Sequence, residues 1–258
     1  MHNKSLEMIL ESDSMRINRY LARCGLGSRR KVEELIRNGL ILVNDQVCTD
    51  LSRRIVPADR VLFEGQRLAL PDTYRYLAFH KPVDVIVSRR TGQAEKSVFD
   101  FFGDTSRGLV YAGRLDKMSR GLLILSDDGS FIHQLTHPGH KVPRHYRLQV
   151  HSESALDVEH VSRCFIEGIE DQGELLQASQ MRITTLDTES PFSYRYTIDV
   201  TLHTGRKRQL RRMCQLCNLE VLDLFRYGIG DLRLAELNLA SGQWCALQRD
   251  ELDKLSVL

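Results

Sequence analysis

An aspartate between two cations is the first candidate for chemistry in this chain. Asp116 lies between Arg114 and Lys117, after the strand-like residues 109–111 and before the apolar run 122–125. Nearby positive charge favours the ionised form of a carboxylate, so Asp116 is expected to stay negative at neutral pH. Such a group can act as a nucleophile or stabilise a cationic transition state. A salt-bridged turn without catalytic function is the alternative.

A dense cluster of cations follows late in the chain. The cations are Arg206, Lys207, Arg208, Arg211 and Arg212. Leu210, Met213 and Leu216 recur among them at helical spacing, which predicts a helix whose apolar side fixes the direction of each arginine. Clustered cations suit phosphate groups, although a charge run is more often only a solvated face.

Tyr146 is the aromatic candidate. It lies in residues 144–150, a predicted strand that begins at the basic Arg144. An aromatic face can stack on a base that has left its helix, which contributes ~1–3 kcal/mol. A half-buried strand tyrosine is the simpler interpretation when the residue is taken alone.

Composition places these residues in a soluble globular protein of one or two domains. The chain has 258 residues, of which 42% are hydrophobic and 27% are charged, and its net charge is only +2. Residues 15–70 hold 11 Lys and Arg against 6 Asp and Glu, whereas residues 153–174 hold seven acids and one Arg. Local basic clusters of this kind are typical of a nucleic-acid binder.

Cysteine spacing and hydropathy predict no metal site, no signal peptide and no membrane span. Cys214 and Cys217 have metal-ligand spacing, but no second pair accompanies them, so no metal site is predicted. Residues 1–14 lack the apolar core of a signal peptide and are expected to form a flexible tail. No apolar run reaches the roughly 18 residues of a membrane span. A cytoplasmic protein with no membrane partner is therefore expected.

The elements before residue 72 form a small basic module. Helices are predicted over residues 16–24 and 28–38, followed by a hairpin at 40–48 and a strand at 61–63. The outer face of the second helix carries Arg29, Arg30, Lys31 and Arg37. This order, with Gly-Ser-Arg-Arg at residues 27–30, resembles the S-four RNA-binding domain. A helix-turn-helix DNA reader or a plain solvated helix are the alternatives.

Elements that follow a linker near residues 70–73 hold the candidate reactive residues. Strands are predicted at residues 76–82 and 195–202, and short helices at 98–102 and 130–136. The acidic segment is expected to form an outer helix with turns at Gly168 and Gly173.

Several stretches together resemble one enzyme family. Residues 113–129 resemble the active-site motif of pseudouridine synthases, in particular the RsuA family. The strand ending in Lys81-Pro82 resembles the first family motif, although Asp84 stands where the family usually has Gly. Residues 144–150 and 205–213 resemble two further motifs. The resemblance covers nearly everything from Met15 to the C-terminal helix.

The resemblance implies a fold and an activity. The expected fold is α+β, with a small α/β RNA-binding domain at residues 15–72. A catalytic domain at residues 76–258 follows, with a mixed, mostly antiparallel sheet and a central cleft. The implied reaction isomerises a uridine of ribosomal RNA to pseudouridine, without cofactor or metal. Ribosomal RNA or a ribosomal precursor particle is the expected partner of a monomeric enzyme.

The resemblance also assigns roles to the candidate residues. Asp116, Tyr146 and Arg211 are the implied catalytic residues, with the Arg211 guanidinium against the Asp116 carboxylate. Arg114 is expected to fill the space that a flipped base leaves. The remaining implied RNA contacts are Arg206, Lys207, Arg208 and Arg212, together with Arg29, Arg30, Lys31 and Arg37.

Two other classes of function stay open at this point. A non-catalytic RNA-binding factor for ribosome assembly would not need Asp116, Tyr146 and Arg211 together. An RNA glycosidase would need a second placed acid, for which Asp127 and Asp128 lie close in sequence. Residues 167–174 favour a large-subunit target, with the small subunit as the alternative.

Overall fold

The chain folds into two units in the computed structural model, which describes residues 14–71, 73–89, 92, 95–190 and 193–255. One unit comprises Met1–Arg75 with Asp104–Val110, and the other comprises Tyr76–Gly103 with Tyr111–Leu258. Arg75 holds the returning segment in the first unit, since its Nη1 donates to the Thr105 carbonyl at 2.7 Å. Residues 104–110 thus pack with the first unit, whereas the sequence analysis put them in the second domain. The predicted tail, residues 1–14, lies outside the described residues except for Ser14.

The first unit combines two helices with short antiparallel strands. Ser28 begins the second helix, because its hydroxyl accepts a hydrogen bond from the Lys31 N–H at 3.4 Å. Asn44 and Asp45 both have positive φ and form the turn of the predicted hairpin. The elements are β1 (Met15–Arg16), α1 (Ile17–Arg23), α2 (Arg29–Arg37), β2 (Ile41–Val43), β3 (Gln46–Val47), β4 (Arg54–Ile55), β5 (Val61–Phe63) and β6 (Gln66–Arg67). Their sheet order is β3-β2-β5-β6, and the buried sides of both helices pack on it.

The later elements build a larger sheet with helices around it. The strands are β7 (Tyr76–Lys81), β8 (Val110–Tyr111), β9 (Arg120–Ser126), β10 (Arg144–Ser152), β11 (Ile169–Asp171), β12 (Glu174–Leu176), β13 (Gln180–Ser190), β14 (Ser193–Leu202), β15 (Glu220–Ile229), β16 (Leu232–Arg233) and β17 (Trp244–Ala246). The α-helices are α3 (Gly129–Thr136), α4 (Val158–Glu167), α5 (Gln209–Leu216) and α6 (Arg249–Asp253). Short 3₁₀ helices span Val98–Phe101, Gly103–Ser106, Pro138–His140 and Leu234–Leu237. Strands β13 and β15 were not predicted from the sequence.

The sheet of the second unit is mixed and mostly antiparallel, which confirms the expected α+β class. Its strand order is β13-β14-β10-β15-β9-β7-β17, and β15 with β9 is the parallel pair along this path. The acidic segment forms α4, with turns at Gly168 and Gly173 as predicted, and it also contains the β11–β12 hairpin, which was not predicted. No helix in the described ranges has both the length and the apolar character that a membrane span requires.

A single row of residues crosses the middle of this sheet. Strand register places Val200 beside Tyr146, Tyr146 beside Arg226, Arg226 beside Gly121, and Gly121 beside Lys81. Residues directly opposite each other on neighbouring strands point to the same face, so the row shares one face. Gly121 has a φ of +117°, and a Cβ there would lie 2.2 Å from the Arg226 carbonyl oxygen. The close approach of β9 and β15 therefore requires glycine at this position.

Candidate active site

A cavity of about 640 Å³ in the second unit collects most of the predicted reactive residues. Among its described lining residues Asp116 is the single carboxylate, and Tyr146 contributes its aromatic ring. Six lining residues are cations, namely Arg114, Lys117, Arg206, Lys207, Arg208 and Arg211. One negative group surrounded by six positive ones is the charge pattern expected where a polyanion binds.

A tight turn positions Asp116 at the cavity. The Ser119 N–H donates to the Asp116 carbonyl at 3.0 Å, which closes a turn over residues 116–119. Gly113, at φ +72°, redirects the chain ahead of this turn. Leu115 and Ser119 are buried, whereas Asp116 is half-buried, so the turn is anchored on both sides of the carboxylate.

The buried Lys81 side chain binds the backbone of the same turn. Its side chain is fully buried, and its Nζ donates to the carbonyls of Pro82, Lys117 and Ser119 at 2.9, 3.2 and 2.7 Å. Burial lowers the pKa of Lys81 to about 8, and the nearby Asp116 carboxylate opposes part of this shift. The ammonium therefore fixes the backbone on the C-terminal side of Asp116 and adds positive charge close to its carboxylate.

Arg211 lies at the cavity but does not form the expected ion pair. Its Nη2 donates to the Met118 carbonyl at 3.0 Å, and no ion pair joins it to Asp116 in this structure. The expected contact with the carboxylate is not formed in this structure, because the guanidinium binds the backbone of the 116–119 turn. Arg211 holds the element that carries Asp116 rather than the carboxylate itself.

Tyr146 lies on the cavity face of β10 and is only 8% exposed. Its cross-strand neighbour Arg226 is 1% exposed and donates from Nε to the Leu122 carbonyl at 2.8 Å. Two residues before Tyr146, Arg144 donates to the Leu135 carbonyl at 2.9 Å, and burial lowers the pKa of its guanidinium. Tyr146 therefore lies next to one buried and one partly buried arginine.

Arg212 does not reach the cavity. Its Nε and Nη1 pair with Asp171 and Glu174 of the β11–β12 hairpin, and its Nη2 donates to the Asp171 carbonyl at 2.8 Å. Arg206 also approaches Glu174, at 3.7 Å from Nη1 to Oε1. All three of its guanidinium nitrogens bind the hairpin in this structure, so Arg212 is not placed with the other cations of the run at the cavity.

Asp84 has a left-handed backbone conformation. It stands at the position where the family usually has glycine. Its φ is +62°, and its N–H donates to the Lys117 carbonyl at 2.9 Å. Its carboxylate pairs with Lys117 Nζ at 3.3 Å. The tight turn is thus kept, since aspartate tolerates left-handed φ better than most residues.

Comparison with known proteins identifies this arrangement. A model of the RNA pseudouridylate synthase family matches residues 75–216, the segment that carries Asp116, Tyr146 and Arg211. The chain belongs to the RNA pseudouridylate synthase family. Ribosomal large subunit pseudouridine synthase B of Bacillus subtilis is 30% identical to it over 243 residues, 94% of this chain and 96% of the relative. Ribosomal small subunit pseudouridine synthase A of Haemophilus influenzae is 28% identical over 242 residues, 93% and 99% respectively.

A solved structure agrees with these relatives. The crystal structure of a pseudouridylate synthase superposes with a TM-score of 0.62 at 27% identity, over 93% of this chain and 99% of that one. An S4 domain model matches residues 15–61. The chain is therefore an RNA pseudouridine synthase of the RsuA type with an N-terminal S4 domain, as the sequence motifs implied.

The S4 domain of this synthase carries four cations on the exposed face of α2. Arg29, Arg30, Lys31 and Arg37 are all exposed on α2. Arg29 pairs with Glu33 at 3.3 Å and Lys31 with Glu34 at 3.5 Å, each within one helical turn. Exposed pairs of this kind are weak, so these side chains can exchange their partners for phosphates at little cost.

Two buried side chains of this synthase were missed by sequence reasoning. Lys81 was noted only as the end of a strand, and Arg226 was not singled out. Every residue of Tyr76–Lys81 is at least partly buried, which a nearly continuous apolar strand ending in lysine could have indicated. Among the described residues, no group of three or more His, Cys, Asp or Glu side chains could hold a metal ion.

Proposed function

We propose that this synthase isomerises a specific uridine of ribosomal RNA to pseudouridine, with Asp116 as the nucleophile. The observation that carries the proposal is the single carboxylate of a cavity lined by six cations. The reaction breaks the bond between C1′ and N1, turns the uracil, and rejoins C1′ to C5. One carboxylate suffices for this, whereas a hydrolytic glycosidase needs a second one to handle water.

The cations have three different roles in this proposal. Arg206, Lys207 and Arg208 bind backbone phosphates, because phosphate contacts hold RNA in register without reading sequence. Arg114, which is exposed and lines the cavity, fills the space that the flipped uridine leaves. Arg211 positions the turn of Asp116 through the Met118 carbonyl.

Tyr146 is proposed to stack on the flipped uracil. Its ring lies in the cavity wall with most of its surface already buried, so little conformational entropy is lost when a base stacks on it.

The S4 domain supplies site selection through α2, since the narrow major groove of A-form RNA prevents direct reading of paired bases.

The proposed target is large-subunit ribosomal RNA. Its support is the Bacillus subtilis relative, named for the large subunit, together with the sequence of residues 167–174. The small subunit is the alternative, supported by the relative from Haemophilus influenzae at nearly the same identity.

A mapping experiment tests target and reaction together. The purified chain is incubated with unmodified large- and small-subunit ribosomal RNA, naked and in precursor particles, and pseudouridine is mapped while free uracil is measured. One new pseudouridine in large-subunit RNA without uracil release is expected. Modification confined to the small subunit would contradict the target. Binding without modification would favour an assembly factor, and stoichiometric free uracil would favour a glycosidase.

A further inference from the structure

Two buried cations lie in the layer of side chains next to Tyr146. The row across the sheet runs from Tyr146 through Arg226 and Gly121 to Lys81, all on one face. Tyr146 lines the cavity, and Lys81 binds the carbonyls of Lys117 and Ser119, which also line it. Because Gly121 has no side chain, nothing in this row separates the Arg226 and Lys81 positions. The row therefore lies against the wall of the cavity.

Neither of these two cations forms an ion pair among the described residues. Lys81 donates only to carbonyl groups, and no carboxylate forms an ion pair with Lys81 or Arg226 in the described part of the chain. Arg226 Nη2 is buried and has no hydrogen-bond partner there. A guanidinium keeps its proton under all conditions in which proteins fold, so Arg226 is a permanent buried charge. Buried charge is costly unless it is paired, which suggests that its partner arrives with the reaction.

Negative charge moves across this wall during the proposed isomerisation. When the C1′–N1 bond breaks, its electron pair stays on the uracil, whose anion spreads over N1, O2 and O4. Asp116 becomes neutral at the same time, whether its oxygen bonds to C1′ or takes a proton from C2′. As C1′ bonds to C5, the Asp116 oxygen leaves C1′, or Asp116 returns its proton to C2′, so the carboxylate regains its charge. Loss of the C5 proton and protonation of N1 then give neutral pseudouridine without another reactant. The charge thus passes from the carboxylate to the base and back.

We propose that Arg226, together with Lys81, stabilises the detached uracil as an anion. The proposal rests on the proposed function and on the placement of the uracil against Tyr146. Fixed charges in a site that excludes water stabilise developing charge strongly, because they need no reorganisation as the bond breaks. Arg226 acts through its field from behind the cavity wall, which distinguishes it from Arg114 and Arg206 at the cavity itself.

A change of leaving group tests this role. The RNA fragment with the mapped target is prepared with uridine or with 5-fluorouridine at that position. Fluorine withdraws electrons and stabilises the uracil anion, so this substrate needs less help from the protein. Single-turnover consumption of the target nucleoside is measured at saturating enzyme and pH 7. Arg226→Gln should slow the uridine substrate by roughly 10²–10³-fold, the usual effect of removing one such stabilising group. On 5-fluorouridine the loss should be at least about tenfold smaller.

Arg120→Gln is the matched control. Arg120 lies one residue before Gly121 on β9, so it points to the opposite face of the sheet, and it pairs with Asp223 at 2.8 Å. This variant should keep the wild-type rate on both substrates.

The outcomes separate the proposal from a structural role and from the proposed function. Equal losses on uridine and 5-fluorouridine for Arg226→Gln would overturn the proposal and leave Arg226 as a link between β15 and β9. Arg226→Lys keeps a charge without the guanidinium fork. Its single-turnover rate should stay within about tenfold of the wild-type rate, and any loss should be smaller on 5-fluorouridine than on uridine. An equal loss on both substrates would overturn the proposal, even if Arg226→Gln fails to fold. If the wild-type enzyme were inactive on both the uridine and the 5-fluorouridine RNA, this would instead contradict the proposed function.

Discussion

At the scale of single residues, the charge of Lys81 is the most unusual feature of the site. A lysine with no exposed surface keeps its proton at pH 7 only because three carbonyl oxygens and a nearby carboxylate stabilise the ammonium. The family motif indicated where Asp116 stands in the sequence, but not which buried group holds its turn.

The pKa of Lys81 gives a pH dependence with a definite sign. Loss of the proton above a pKa of about 8 removes the charge near Asp116 and leaves two N–H donors for the three carbonyls that Lys81 binds. The single-turnover rate should therefore fall between pH 7 and pH 9. The single-turnover rate of Lys81→Met should be lower than that of wild type at every pH and should not fall between pH 7 and pH 9. Because the uracil ring can also ionise in this pH range, the variant serves as the control for that effect. A wild-type rate that stays level to pH 10 would contradict the assignment.

Folding stability should change with pH in the opposite direction. The folded-state pKa of Lys81, about 8, is below its ordinary value of 10.5, so the unfolded chain binds more protons in that interval. The contribution of Lys81 to the free energy of unfolding should then rise as pH increases from 8 to 10.5, by ~1.4 kcal/mol for each unit of pKa difference. Denaturant unfolding of wild type and Lys81→Met at pH 7 and pH 10 measures this difference.

At the scale of elements, the site depends on how the 116–119 turn meets the start of α5. Arg208 has a left-handed φ of +53° just before α5, and the buried Leu210 and Met213 then fix the direction of Arg211. The helical spacing of the apolar residues was readable in the sequence. The partner of Arg211 was not, because Met118 lies 93 residues away and the contact depends on the folded turn.

Variants of α5 and the segment before it should separate phosphate binding from positioning. Arg208→Ala should weaken RNA binding and reduce the slope of log affinity against log salt by about 0.7–0.9. Arg211→Ala should lower the rate at saturation with little change in that slope, because its guanidinium holds the turn of Asp116. Binding titrations from low to moderate salt, with single-turnover rates, measure both. If Arg211→Ala lost salt slope and kept its rate, Arg211 would be one more phosphate contact.

The β11–β12 hairpin shows why a charge run cannot be interpreted by itself. Arg212 belongs to the same run as Arg208, and sequence reasoning gave both the same role. Asp171 and Glu174 occupy its guanidinium, although they are 41 and 38 residues away in sequence. Such pairing depends on tertiary structure, which hydrophobic periodicity does not encode.

At the scale of the whole molecule, the two units carry different shares of the proposed activity. The second unit holds the cavity, and the first presents an exposed basic helix that no part of the chemistry requires. The helices and the hairpin of the first unit, and strands β7, β10 and β14 of the second, followed from spacing and turn residues. Strands β13 and β15 and the assignment of residues 104–110 did not, since they depend on packing between distant segments.

Removing charge from α2 should therefore affect binding without affecting chemistry. Arg30 and Arg37 are exposed on α2, and the double variant Arg30→Ala/Arg37→Ala should lose affinity and salt slope while its saturating rate stays at the wild-type value. Arg249→Ala, which removes an exposed charge in the second unit, is the control and should change neither. Unchanged affinity and unchanged choice of uridine in the double variant would show that α2 does not select the target.

The central claim is that the Asp116 carboxylate performs the reaction, and Asp116→Asn tests it most directly. Asparagine keeps the size of the side chain and removes the charge that can attack or accept a proton. Pseudouridine formation in single turnover should be abolished, whereas RNA affinity should stay close to that of wild type, because the six cations at the cavity remain. Turnover near the wild-type rate, with the substitution verified in the protein assayed, would contradict the account.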